Sequence, residues 1–232
     1  ARDFTGSFAQ YGGAPVVMPG ENFTFLGSTG KDNAGAASYS GPAIVDQVQI
    51  TWNFGSQEII AMVVNFSGNG ELTYGADEGG DASTPDAPEI CGNTIDLDGA
   101  PLPDVEQCVL TITAENKPYV NSDTVFNNVC WTMRRPGTIN WTAAITQQNG
   151  AGLSPIIQND YTLKCYTVKD GANDAFWELE KGKLGNSSGI SVNPETNDIV
   201  RRTLNMSMNG FPAGGAVGHI LDPSGGTFWP AA

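Results

Sequence analysis

Apolar and polar positions alternate with a period of two along most of this chain, the pattern of strands with one buried face. Over residues 108–114, Cys108, Leu110 and Ile112 alternate with Val109, Thr111 and Thr113. Over 139–145, Ile139, Trp141, Ala143 and Ile145 alternate with Asn140, Thr142 and Ala144. Residues 45–52 and 59–66 are β-branched runs on either side of Asn53-Phe54-Gly55-Ser56, a hairpin signal. The second run is apolar on both faces, which predicts a central strand. Residues 161–168 and 175–184 flank a second hairpin signal, Asp170-Gly171-Ala172-Asn173, with Trp177 and Leu179 expected inward and Glu178 and Glu180 outward. A last long strand carries Val200, Leu204, Met206 and Met208 on one face and stops at Asn209-Gly210. Ser154 before Pro155 is an N-cap followed by a first-turn proline, and predicts one or two helical turns over 154–159.

The segments between these runs divide the chain. Residues 1–42 are Gly-rich and weakly periodic, with one strand-like piece at 22–26, and read as an N-terminal arm or loop region. Residues 43–212 hold the β core, interrupted by an acidic region near 75–105 in which 75–89 are too Gly/Pro-broken for regular structure. Residues 213–232 form a Gly/Pro-rich extension expected to be irregular. Residues 52–70 and 131–150 each hold a Trp, a Gly turn, a strand and a closing Asn-Gly, and a duplicated hairpin and a coincidence both fit. The fold class expected is all-β: a mainly antiparallel β-sandwich with one short helix and long Gly-rich arms and loops.

Composition agrees. The chain has 232 residues, enough to bury a core, with 29 Gly, 14 Pro, 40% hydrophobic and 16% charged positions. It is too apolar for a disordered chain. The longest purely apolar run, residues 59–64, is too short to cross a bilayer, so no membrane span is expected. No basic-then-apolar leader opens the chain, so a signal peptide is expected to be absent or already removed. The net charge is −14, which argues against tight, sequence-reading DNA binding. The charge is also divided: between Asp32 and Glu115 there are fourteen acids and no Lys or Arg, whereas Arg134-Arg135, Arg201-Arg202, Lys181 and Lys183 lie downstream. Either the acidic half is a solvated face, or it meets the basic half of a neighbouring copy.

Candidate chemistry is sparse. One His and no C-x-x-C spacing argue against a zinc site. Cys91, Cys108, Cys130 and Cys165 allow three pairings; a Cys130–Cys165 or Cys91–Cys108 bridge in an oxidising compartment and free buried thiols in a reducing one stay open. Gly185-Asn186-Ser187-Ser188-Gly189 matches G-x-S-x-G, with Asp198 and His219 following in hydrolase order. The residues after it read as extended, not as the helix a nucleophile elbow needs, so no enzyme is expected. Asp96-Leu97-Asp98-Gly99 resembles part of a calcium loop, yet the twelfth position falls on Val105, and a solvated turn is favoured. Neither a cofactor nor a metal is expected. N-x-S/T triplets at Asn22, Asn65, Asn140, Asn186 and Asn205, together with the cysteines and five tryptophans, keep a secreted carbohydrate-binding or adhesin β-sandwich as the alternative.

The stretch Cys130-Trp131-Thr132-Met133-Arg134-Arg135-Pro136-Gly137 through Ile139 to Ile145 resembles the segment that sets up the first core strands in major tail tube proteins of long-tailed bacteriophages. Tyr161 to Tyr166, Phe176 to Leu184 and Asp198 to Gly210 are similar to that family's closing strands, which end in a Gly. The resemblance covers about residues 128–212; the acidic insertion before it and the Gly-rich tail depart from the pattern. It implies a β-sandwich protomer, six to a ring, with rings stacked into the virion's DNA-conducting tube after assembly in the host cytoplasm. The partners implied are further copies of this chain, other tail proteins, and genome DNA that passes without specific binding. An anionic lumen suits such a channel. Candidate contact residues, chosen on charge and irregularity, are Arg134, Arg135, Arg201, Arg202, Asp77, Glu78 and Asp81, beside the arm of residues 1–30.

Overall fold

The computed structural model describes residues 1–12, 17–28, 37–55, 60–76, 95–148, 159–168, 175–185, 189–191, 201–209 and 219–221. The first third of the chain supplies β1 (Thr5–Tyr11), β2 (Asn22–Ser28), β3 (Ala37–Asn53), β4 (Ala61–Gly68) and β5 (Thr73–Ala76). The middle supplies β6 (Ile95–Leu97), β7 (Ala100–Pro101), β8 (Val105–Ala114), β9 (Lys117–Tyr119), β10 (Val125–Phe126), β11 (Val129–Cys130), β12 (Met133–Arg135) and β13 (Ile139–Gln148). The last third supplies β14 (Tyr161–Val168), β15 (Ala175–Leu184), β16 (Gly189–Ser191), β17 (Arg201–Met208) and β18 (His219–Leu221). Every strand pair is antiparallel, and the main sheet runs β1-β4-β3-β8-β13-β17-β15-β14-β6-β7, with β2, β5, β16 and β18 pairing at its sides. The protein is all-β and sandwich-like.

The sheet curls on itself. Trp52 in β3 donates its indole N–H to the Tyr166 carbonyl in β14 at 2.9 Å, although four strands separate the two in the sheet order. Between the two walls lie Trp52, Trp141 and Trp177, all essentially unexposed, with Ile50, Met62, Leu110, Ile145, Leu163 and Leu204 among them. Of these, Trp141, Trp177, Leu110, Ile145 and Leu204 are residues the alternation placed inward. Large aromatics dominate such a core because each removes much apolar area from water at a small cost in rotamer freedom.

The long strand β3 changes partners along its length. Residues 47–53 pair with β8, whereas residues 38–44 pair with β2. Asp46 is the extra residue of a bulge between Val45 and Gln47, which bends the strand and lets it serve both groups. The Asp46 carboxylate accepts from Ser67 Oγ at 2.5 Å and from Asn116 Nδ2 at 2.8 Å, so the bend is held from two sides.

Several expectations change. The described residues of the 1–42 region belong to the sheet and core rather than to an arm: β1 pairs with β4, β2 pairs with β3, Met18 is buried, and the 42/43 boundary falls inside β3. Phe8, Phe23 and Phe25 gather around Phe66, with ring centroids 5.0–6.4 Å apart. Small residues permit this close packing; a Cβ on Gly6 would stand 2.4 Å from the Phe66 ring. Composition misled because glycine here marks close approach rather than a loop. The run at 59–66 becomes a strand second from the edge, between β1 and β3, rather than central. In the extension, residues 219–221 form β18 against β15. The helix expected over 154–159 falls outside the described residues except at Asn159, which is not helical. Among the described residues the one helical turn is Ser122–Thr124, closed by a capping box between Asn121 and Thr124. The repeat is not a structural duplication: Trp52 lies within β3, whereas Trp131 makes a lone parallel bridge to Arg2.

Candidate functional site

Most of the basic residues singled out by charge are placed against carboxylates or rings of their own chain. The Arg134 side chain is only 12% exposed and forms a two-pronged ion pair with Asp3, one prong at 2.9 Å, while also donating to the Gly68 carbonyl. Its backbone N–H donates to Asn69 Oδ1. The Asp3 contact raises the Arg134 pKa above its ordinary value. Arg135 lies over the Tyr119 ring at 4.9 Å, a cation–π contact between β12 and β9. Arg201 grips Glu106 with Nε at 2.8 Å and a terminal nitrogen at 3.1 Å, and this hydrogen bonding lowers the Glu106 pKa. Arg202 is half-buried in β17, opposite Gln147 of β13 and Ile190 of β16. Lys181 and Lys183 both face Asp160, at 3.5 and 3.8 Å. The Asp160 pKa is lowered, first by a hydrogen bond from Asn209 and then by Lys181. Glu106 belongs to the acid-rich segment, so the two electrostatic halves already meet within one chain. Asp77, Glu78 and Asp81 lie outside the described residues.

Beside these internally paired cations, the molecule presents two other features. The first is the edge at β1. Gly68 N–H donates to the Phe4 carbonyl at 2.7 Å and Gly12 N–H to the Ile60 carbonyl at 2.8 Å. In an antiparallel ladder hydrogen-bonded pairs alternate, so even-numbered residues of β1 bond to β4. Thr5, Ser7, Ala9 and Tyr11 therefore turn their backbone N–H and C=O groups to the opposite side, where no strand pairs with them among the described residues. The side chains of these four residues are also exposed. A seven-residue open edge is a template for another strand.

The second feature is the three-stranded flank built from β2, the first half of β3, and β5. Tyr39 and Tyr74 stand opposite each other across β3 and β5, edge to face at 5.3 Å, and are 39% and 70% exposed. Leu26 is exposed on the other face of this flank, opposite Ser40.

Little of the remaining surface suggests chemistry. An open depression of about 570 Å³ surrounds the Glu106–Arg201 pair and is lined also by Asn53, Gln107, Thr146 and Gln148. None of the described residues lining it is aromatic, so it offers no platform for stacking a sugar. Asp98 and Gly99 both have positive φ, at 51° and 78°, and make the tight turn of the β6–β7 hairpin, while Asp98 Oδ1 accepts from Thr162 N–H. That accounts for Asp98 as a turn residue and not as part of a calcium loop. Gly189–Ser191, which starts at the last Gly of the G-x-S-x-G string, is a strand. Ser187 and Asp198 lie outside the described residues, and His219 is in β18 opposite Glu178. Among the described residues no group of three His, Cys, Asp or Glu is arranged to hold a metal ion, and no helix is long and apolar enough to cross a membrane.

The open edge escaped the sequence because it is defined by the absence of a neighbour, which no local pattern encodes. The Gly/Ser-rich composition of Thr5-Gly6-Ser7-Phe8-Ala9-Gln10-Tyr11 further concealed the strand, because it shows no regular apolar/polar alternation. Compared with known proteins, the chain matches no family model and no curated protein.

Proposed function

We propose that this chain is a self-assembling structural protein whose protomers join through the open β1 edge, and that the assembly is the stacked-ring tube of a bacteriophage tail. The observation that carries this reading is the run of four outward-turned backbone positions at Thr5, Ser7, Ala9 and Tyr11. An edge on one protomer that pairs with a different surface of the next makes a heterologous contact, the type that builds a ring when the rotation between neighbours closes. The Tyr39–Tyr74 flank supplies an aromatic surface for contact between stacked rings. Six protomers per ring, docking to other tail proteins and location in the virion follow from the resemblance in residues 128–212. The net charge of −14, with many basic groups already paired within the chain, gives a bore that lets DNA slide past without capture. No cofactor enters this function, and no residue acts catalytically in it.

The test uses the wild-type chain and Ala9→Pro. Ala9 has its N–H on the open side, so proline there removes an outward donor and leaves the β1–β4 ladder intact. Sedimentation velocity and negative-stain microscopy at micromolar concentration should show rings or tubes for the wild type. The variant should remain a protomer with an unchanged far-ultraviolet circular dichroism spectrum. A wild type that stays monomeric, or a variant that assembles equally well, overturns the reading.

A further inference from the structure

Cys108 and Cys165 are both fully buried in one core cluster, on β8 and β14, and the Cys108 thiol lies close enough to help raise the Cys165 pKa. Three strands separate β8 from β14 in the sheet order, so this contact bridges the opposing walls of the curled sheet. The surroundings hold it in place. Trp52 stands opposite Cys108 in the β3–β8 register, Trp177 stands opposite Cys165 in the β14–β15 register, and the Trp52 indole bonds to the residue after Cys165. Cys130, by contrast, is exposed on the small β10–β11 hairpin, so the Cys130–Cys165 bridge allowed by sequence is not the arrangement the fold makes. Cys91 lies outside the described residues.

We propose that Cys108 and Cys165 are a disulfide-forming pair, which closes an intrachain bridge across the core when the chain folds in the presence of a small disulfide such as oxidised glutathione. One cysteine thiolate attacks the glutathione disulfide, forming a mixed disulfide and releasing one glutathione thiolate. The second cysteine, as its thiolate, displaces the other glutathione thiolate. Two protein S–H bonds and one glutathione S–S bond are lost; one protein S–S bond forms, and the two protons end on two glutathione thiols. The protein sulfurs are oxidised by two electrons and glutathione disulfide is reduced by two. Burial pushes the Cys165 thiol pKa well up, so in the native state it is neither ionised nor reachable. Exchange therefore belongs to the folding chain, and once the core has closed both the dithiol and the disulfide are shielded from reagents. The inference stands apart from the assembly reading, since a bridge inside one protomer neither needs nor prevents contact between protomers.

The experiment unfolds the chain in urea with reductant, then refolds one portion in a reduced/oxidised glutathione mixture and another in dithiothreitol. Free thiols are alkylated in denaturant and the unreduced digest is mapped by mass spectrometry. The expected result is a Cys108–Cys165 linked peptide, 2 Da lighter than its two parts, in the glutathione portion only, with a higher melting temperature for that portion. Cys165→Ala should lose the link and Cys130→Ser should keep it. Protein isolated natively under reducing conditions should react at once with a chromogenic disulfide at Cys130, and at Cys108 and Cys165 only as it unfolds. Secretion into an oxidising compartment followed by the same mapping covers a chain that refolds poorly. Folded protein from the glutathione or secreted sample in which Cys108 and Cys165 are both alkylated, or are linked instead to Cys91 or Cys130, overturns the proposal.

Discussion

Replacing Trp52 by Phe tests whether the sheet is held in its curled form by a single hydrogen bond across the core. The indole N–H donates to the Tyr166 carbonyl at 2.9 Å, joining β3 to β14, and Trp52 is fully buried. Phenylalanine removes that donor and leaves the carbonyl without it in a dry interior, a cost of about 1–3 kcal/mol. It also removes about 40 Å³ of side chain, which at roughly 24 cal/mol per Å³ of residual cavity adds about 1 kcal/mol. Trp141 provides the control. It is 1% exposed, yet its Nε1 has no protein partner among the described residues. Trp141→Phe therefore carries the cavity cost of about 1 kcal/mol, offset in part because a buried unpaired donor goes with it. Urea unfolding followed by far-ultraviolet circular dichroism, which avoids the loss of a fluorophore, should place the Trp52→Phe midpoint clearly below that of Trp141→Phe at the same slope. Equal midpoints, or a larger loss for Trp141→Phe, would refute the assignment of the Trp52 hydrogen bond as a clamp between the two walls.

Two further outcomes follow from local geometry. A Cβ on Gly137 would fall 1.8 Å from the Glu115 carbonyl oxygen, whereas one on Gly75 meets only Ser38 Oγ, at 3.8 Å. Gly137→Ala should thus cost toward or beyond the upper end of about 1–3 kcal/mol in thermal or urea unfolding, and Gly75→Ala less than about 0.5 kcal/mol; similar losses would contradict the packing described. The Glu106–Arg201 pair should show a pH signature. Because the folded Glu106 pKa lies below the ordinary value of 4.5, its contribution is fully present above that value and fades as pH falls through the lowered one. Glu106→Gln should cost under about 1 kcal/mol at neutral pH, as both side chains are partly exposed. Its stability curve should converge with the wild type in acid, and a gap that persists there would disprove the ion pair as its source.

Much of this fold is legible in residue alternation. Cys108, Leu110 and Ile112, and likewise Trp141, Ala143 and Ile145, face inward as their spacing requires, because a strand has two faces and water sorts side chains between them. Both hairpin pairings, β3 with β4 and β14 with β15, also follow from short-range signals. Alternation gives no information about which distant strand lies opposite. That is why Cys165 lies near Cys108 rather than Cys130, and why Arg134 and Arg201 find Asp3 and Glu106 within the chain.

The amino-acid sequence by itself determined the strands, their inward faces and the anionic character of the surface, since each depends on local spacing or on a count of charges. The tertiary structure alone decided that residues 5–11 and 22–28 of the Gly-rich N-terminal region join the sheet and that, among the described residues, β1 is left with one bare side. It also decided which thiols and ions meet across the interior. These are properties of long-range pairing, settled by how a twisted sheet closes over its aromatic core, and no window along the chain contains them.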